Sequence, residues 1–460
     1  MPGLESGVAP LSPEPVPSPS PSFFHPWVTW ASTGLVALLV GYIFLLTPEN
    51  PLERLHWPED SLERLAGRDM EVRAAVARSA PWERRLYAIL SGGDEGVDDW
   101  VRWHEELAQI STSSDVELDR LILLGATQQM AAVREGVEEW QSDDEGAEKR
   151  KEWITAAYLA PSVDRGEARA LIAEIRDELP GGWFADTLAA RLAGRAGDTI
   201  AREESEAAIA ARGAVLFNRW RGLQAAGLLL AAVGIVSLGV IMLRLADPRI
   251  ARAEMLTRFS LGDGYALFIR GALGFLVLGT GLGLLIPDDS ALDGITGAAT
   301  IAPILLYTLW YLRAQGVSFT GAFGLAPGGA RWLRIVWIAV ALVGLQLTGE
   351  AAIGAVFDAL HLSSHWADGL EENLIWGSWG LVARETLDSV LWAPLGEEVA
   401  FRGVLYAALR SRVGVGPAAA ISGAVFAVAH GYGVLGFVVV CWSGVLWALA
   451  YEKTGSLWPG

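Results

Sequence analysis

From residue 222 to residue 460 this chain carries one membrane-length apolar run after another, and that leaves it few ways to fold. In hydrocarbon every backbone N–H and C=O must find its partner within the protein, so only helices and closed barrels can span. The runs fall at 222–243, 265–286, 293–312, 332–348, 385–409, 418–432 and 435–451. A spanning helix needs roughly 20 residues; the last few runs are shorter or interrupted by glycine. An earlier uncharged stretch, WVTWASTGLVALLVGYIFLLT at 27–47, has the same length. No Lys or Arg precedes it, as one would before a secretory signal, so it reads as an uncleaved anchor.

Charge is segregated rather than scattered. Charged residues make up 19% of the chain, against about 25% in an ordinary soluble protein. They concentrate in 48–220, where Glu, Arg, Ala and Leu recur with apolar residues three and four apart, a helical spacing. Pro81, SGGDEG at 91–96, STSSD at 111–115 and ELPGG at 178–182 break that stretch into short helices. No fixed repeat of tetratricopeptide type emerges. The first 26 residues alternate Pro and Ser, which suits neither helix nor ladder. The expected fold is all-α: a polytopic helical membrane bundle with a soluble helical domain inserted after the first transmembrane helix. Its parts are a disordered tail (1–26), an anchor (27–47), a soluble acidic domain (48–215) and a membrane core (222–460).

The net charge of -18 and pI near 4.8 argue against a nucleic-acid partner, since nothing offsets phosphate repulsion. Cys441 is the sole cysteine; it has no partner for a disulfide within the chain and reads as a buried membrane thiol. Arg244, Arg249, Arg252 and Arg258 occupy one turn, Arg313, Arg331 and Arg334 a second, and Arg410 and Arg412 a third, with Lys453 at the end. The alternate turns, IPDDSALDG and 350–373, are acidic. The positive-inside rule then places the basic turns in the cytoplasm and 48–215 outside.

Chemistry concentrates in LWAPLGEEVAFRGVLYAALR, 391–410. An ionised group at membrane depth costs at least about 2.5–3.5 kcal/mol, so Glu397, Glu398 and Arg402 must be paired, protonated or facing a wet cavity. Glu398 and Arg402 are four apart and share a face, where they can form an ion pair. Glu397 points about 100° away and is left without that partner. A carboxylate so placed beside water can serve as a general base. ISGAVFAVAHG, 421–431, ends an apolar helix on His430, and a Glu and a His on neighbouring helices could together hold one water. His56, His104 and the carboxylates of 48–215 show no metal-ligand spacing. His361, His365, Asp358, Asp368, Glu371 and Glu372 read as a polar stretch between membrane segments rather than a metal site. Trp27, Trp30, Trp332 and Trp337 read as interfacial anchors.

Glu397-Glu398-x-x-x-Arg402 and Phe426-x-x-x-His430 resemble the first two motifs of the CAAX-protease and bacteriocin-processing (CPBP, or Abi) family. Gly324-Leu325 is similar to a short family feature, and TGSLWPG at 454–460 resembles the approach to a third, His-x-x-x-Asn-like motif. The resemblance covers about 380–460. It implies an intramembrane endopeptidase, glutamate-type or metallo-type. In it Glu397 is the base, Glu398 and Arg402 the supporting pair, and His430 the water partner. No cofactor is required under the glutamate mechanism, with zinc as the alternative. The implied partners are the lipid bilayer and a membrane-protein or lipidated-peptide substrate, and the implied location is the bacterial inner (plasma) membrane. The sequence stops at Gly460, before a third-motif His or Asn, which points to a fragment or to a protein lacking that half of the site. Two other readings stand beside this one: an inactive, peptidase-like scaffold, and an ion- or proton-coupled transporter.

Overall fold

The computed structural model describes residues 23–46, 50–90, 96–140, 146–245, 259–286, 296–326, 329–360, 362 and 365–460. Most of the Pro/Ser tail, Arg249, Arg252, Arg258, most of the IPDDSALDG turn and His361 lie outside them. The described residues are helical, with no strand among them.

Helix α1 (Pro26–Leu46) stands at the start, and short helices follow: α2 (Pro58–Ala77), α3 (Pro81–Leu90), α4 (Gly96–Ala108), α5 (Ser114–Ala126), α6 (Met130–Glu139), α7 (Ala147–Ile154), α8 (Arg165–Glu178) and α9 (Trp183–Arg195). Their starts follow side-chain chemistry. Ser113 Oγ accepts from the Asp115 N–H ahead of α5, and Asp164 accepts from the Gly166 N–H ahead of α8, each satisfying an orphan donor. Pro58 and Pro81 open α2 and α3, where a missing N–H costs nothing. These helices enclose their own core, with Leu118, Leu121 and Ile122 of α5, Trp153 of α7, and Leu188 and Leu192 of α9 all fully buried. Each such aliphatic side chain contributes about 1.5–3 kcal/mol by leaving water.

Helix α10 (Thr199–Leu245) packs first on α2 and α9 and then enters the apolar part without a break. Its 47 residues span about 70 Å at the helical rise. The limits of the soluble domain and the membrane core, 215 and 222, both fall within this helix, and NRWRGLQAAGLLLAA holds no proline and only isolated glycines to interrupt it. The remaining elements are α11 (Leu261–Leu285), α12 (Thr296–Ala314), the short α13 (Phe319–Ala322), α14 (Gly329–Ala359) and α15 (Glu372–Trp376). Beyond them lie α16 (Trp379–Leu387), α17 (Ala393–Glu397), α18 (Ala407–Arg410), α19 (Val415–His430) and α20 (Val434–Thr454). Among the described residues five helices are long and apolar enough to cross a membrane: α1, α10, α11, α14 and α20; α19 is apolar but shorter. The chain is a helical membrane bundle.

Within the bundle α11 packs on α12, α19 on α20, and α14 lies between α10 and α20. The α10–α14 crossing is made by glycines. A Cβ on Gly234 would stand 2.5 Å from the Gly344 carbonyl carbon, and one on Gly344 would stand 2.7 Å from Gly234 N. Helix α14 corrects one expectation. The apolar run was read to end at 348, with Glu350 and Asp358 in an outer acidic turn, yet the helix continues to Ala359. Glu350 is held inside it, its carboxylate accepting from Gln346 Nε2 at 2.7 Å. At the end of the bundle away from α2–α9, Phe23 and Phe24 lie against Trp310 and Tyr311, and the Arg270 guanidinium sits 4.3 Å over Phe24.

Candidate active site

Residues 379–410 form one helical rod that is not α-helical throughout. Stretches Asp388–Trp392 and Glu398–Tyr406 are π-helical, separated by α17. Pro394 has no N–H to return to the turn before it, which accounts for the widening at 388–392. The second π stretch starts at Glu398 and carries Arg402. Single π turns inside helices recur at functional sites.

Glu398 and Arg402 form the ion pair that their spacing suggested, with Nη1 to Oε1 at 3.3 Å and side-chain exposures of 8% and 0%. The guanidinium lies 4.2 Å over the Phe426 ring and 4.7 Å over the Trp447 ring. A desolvated cation between two aromatic faces gains about 2 kcal/mol or more from their quadrupoles. Among the described residues no hydrogen-bond partner reaches the guanidinium nitrogens of Arg402, so the ring faces and the Glu398 charge hold it.

Glu397 faces the other way. Its Oε1 stands 3.9 Å from His430 Nε2, with side-chain exposures of 31% and 25%. The first carboxylate is therefore reachable where the second is sealed. His430 Nδ1 lies 2.8 Å from the Phe426 carbonyl. A carbonyl only accepts, so Nδ1 carries the proton, and in the neutral ring Nε2 presents a lone pair toward Glu397. Phe426 thus serves twice: its carbonyl orients the imidazole, and its ring packs edge-on to His430 at 4.5 Å while supporting Arg402. The Phe-x-x-x-His spacing is the four-residue step that brings both onto one helical face.

Zinc in a catalytic site takes three protein ligands and a water. Here Glu397 and His430 face one another while Glu398 is turned to Arg402, and the described residues hold no group of three or more metal-binding side chains. Among the described residues the metal-binding side chains that meet at this point are therefore two, Glu397 and His430.

The last residues close the buried side. Leu457 N donates to the Phe323 carbonyl, Ser456 Oγ to that of Gly324 at 2.8 Å, and Trp458 Nε1 to that of Leu325 at 3.0 Å. The two short features noted at 324–325 and 454–460 therefore pack on each other. Gly324 has φ of +59°, and a Cβ there would strike the Gly455 carbonyl, so no other residue fits. Gly460 lies directly against the Glu398 carboxylate.

Sequence reasoning missed a polar cluster one helical turn from Trp447. Gln346 Nε2 donates to Glu350 and to Ser443 Oγ, at 2.7 and 2.5 Å. An ionisable residue inside an apolar run is a functional candidate by default, and extending the 332–348 run would have exposed Glu350. No sequence signal pointed to Trp447. Of the other polar residues, His365 pairs with Glu106 at 3.3 Å and Glu372 is buried against residues 56–61. Neither joins Glu397.

Residues 376–460, the stretch holding all four site residues, match the model of the Rce1-like family, described as type II CAAX prenyl endopeptidase Rce1-like. The match is consistent with the CPBP or CAAX-protease family that the two motifs resemble. No curated protein and no solved structure matches the chain. Fold and family match together define an integral membrane protein whose C-terminal segment is similar to CAAX-type intramembrane proteases.

Proposed function

We propose that the protein is an intramembrane endopeptidase of the CAAX-protease type, cleaving membrane-associated proteins or lipidated peptides by a water held between Glu397 and His430. The observation that carries this reading is the 3.9 Å separation of Glu397 Oε1 and His430 Nε2. That is too long for a direct hydrogen bond and suits one water hydrogen-bonded to both, at ~2.8 Å each. Both atoms are acceptors, so both water protons are engaged and the oxygen lone pairs face outward. Glu397 takes one proton as the water oxygen bonds to the scissile carbonyl carbon. The C–N bond then breaks, and the proton passes from Glu397 to the departing amine. The buried Glu398–Arg402 pair fixes the rod that carries Glu397.

The test is hydrolysis of a farnesylated peptide ending in Cys-aliphatic-aliphatic-X by the full chain in lipid vesicles, read by mass spectrometry. Removing a general base costs about 10²–10⁴-fold, so Glu397→Gln is expected to lower turnover at least 100-fold and His430→Ala by a comparable factor. Turnover by Glu397→Gln equal to the parent would end this reading.

A further inference from the structure

Helices α2–α9 meet the membrane site through the segment 365–376, between α14 and the rod. Its Glu372 is 7% exposed. One carboxylate oxygen accepts from the His56 N–H at 2.6 Å, the other from the Trp57 N–H at 2.9 Å and from Ser61 Oγ at 3.3 Å. That sets a negative group at the N-terminal end of α2, where the helix dipole favours it. Trp376 Nε1 donates to the same Ser61 hydroxyl at 2.9 Å, and the Arg64 guanidinium lies 3.8 Å over the Trp376 ring. Ala367 and Trp366 join an apolar cluster with Leu52, Leu62, Leu107 and Val116. His365 closes the set on Glu106.

The segment also touches the rod and the turn that follows His430. Asn373 Nδ2 donates to Glu385 Oε1 at 3.2 Å, on the rod that carries Glu397, and Arg384 holds the same oxygen at 2.7 Å. The Asp368 carboxylate lies 3.6 Å from where a Cβ on Gly433 would stand. Gly433 begins α20, three residues past His430. One strap therefore grips helices α2, α4 and α5 with buried, multiply bonded groups, bonds to the rod at Glu385, and lies against the turn between α19 and α20 that follows His430.

We propose that the strap 365–376 sets the separation of the Glu397 and His430 helices from the extramembrane layer, with Glu372 and Ser61 as positioning residues. The catalytic half of this rests on the peptidase reading above; the structural half does not. Ser61 lies on α2, away from the membrane site, and its hydroxyl is bonded to the strap at both Glu372 and Trp376.

The experiment uses the full chain in vesicles with Cys441→Ser, and spin labels at Trp379→Cys and Val434→Cys, positions 90% and 72% exposed. The distance distribution between the labels is expected to at least double in width when Ser61→Ala or Glu372→Gln is added. In the unlabelled chain, the same substitutions are expected to lower kcat on the farnesylated peptide about tenfold while KM changes less than twofold. Ser61→Ala removes a single oxygen and is the fallback should Glu372→Gln unfold. An unchanged distance distribution in folded Ser61→Ala overturns the proposal, and so does a broadened one with unaltered kcat. If Glu397→Gln shows that the chain is not a peptidase, the label distances alone decide whether the strap couples the layer to the two helices.

Discussion

Arg402 shows how an ionic side chain is kept in the middle of an apolar bundle. It is fully buried, paired with one carboxylate and sandwiched by two rings. Removing one member of a buried pair leaves an uncompensated charge and costs about 3–5 kcal/mol. Arg402→Met should therefore lower the thermal unfolding midpoint of the detergent-solubilised chain sharply. Adding Glu398→Gln to it should restore most of the loss, because no net charge then stays buried. The pair itself was legible from its four-residue spacing. Its aromatic casing was not, because Trp447 lies 45 residues further along and only the return of α20 past the rod brings it over Arg402. Glu397 and His430 were singled out by their position in apolar runs, but their facing geometry depends on α19 packing against the rod.

Among the elements, α14 carries the clearest packing constraint. The near contact of backbones at Gly234 and Gly344 admits no side chain. Gly344→Val is predicted to push α10 and α14 apart and to destabilise the bundle by about 1–3 kcal/mol. Gly354→Val, on the same helix but with nothing near its Cβ position, should leave the midpoint within about 1 °C by the same packing argument. Thermal unfolding of the two variants side by side checks the pair. Helix type and approximate spans were readable, since apolar runs of bilayer length leave little choice. The extension of α14 past 348 was not, because Glu350 argues for a loop until Gln346 and Ser443 are seen to hold it. Nor was the unbroken passage of α10, since a shift in composition marks a change of surroundings and not a break in the backbone.

At the scale of the whole molecule, helices α2–α9 bring their own pH dependence. Burial, reinforced by Asp115 and Asp60, pushes the Glu63 carboxyl up to about 7, and burial raises Asp119 as well. Burial holds His104 down at about 4. A carboxyl raised in the folded state stabilises it fully below the unfolded value near 4.5 and loses that contribution as pH climbs through about 7. His104 works the other way, favouring the fold above about 6.5 and weakening it below. At pH 6.5 the unfolded imidazole of His104 is about half protonated and its loss of that proton by pH 8 favours the fold, so a fall in stability across that window belongs to the carboxyls. The chain is expected to unfold several degrees lower at pH 8 than at pH 6.5. Glu63→Gln should flatten that slope and raise the midpoint at pH 8. A slope unchanged by the substitution would show that Glu63 is not its source.

The sequence by itself determined that this chain is a helical membrane protein, and it marked Glu397, Glu398, Arg402 and His430 as the residues with something to do. Both follow from the cost of unsatisfied backbone and of charge in hydrocarbon, which can be judged one segment at a time. Tertiary structure alone decided which carboxylate is sealed and which is reachable, what casing holds the arginine, and that residues 365–376 pack against helices α2, α4 and α5. Those depend on groups far apart in the chain meeting at a few ångströms, and no local pattern of residues encodes such a meeting.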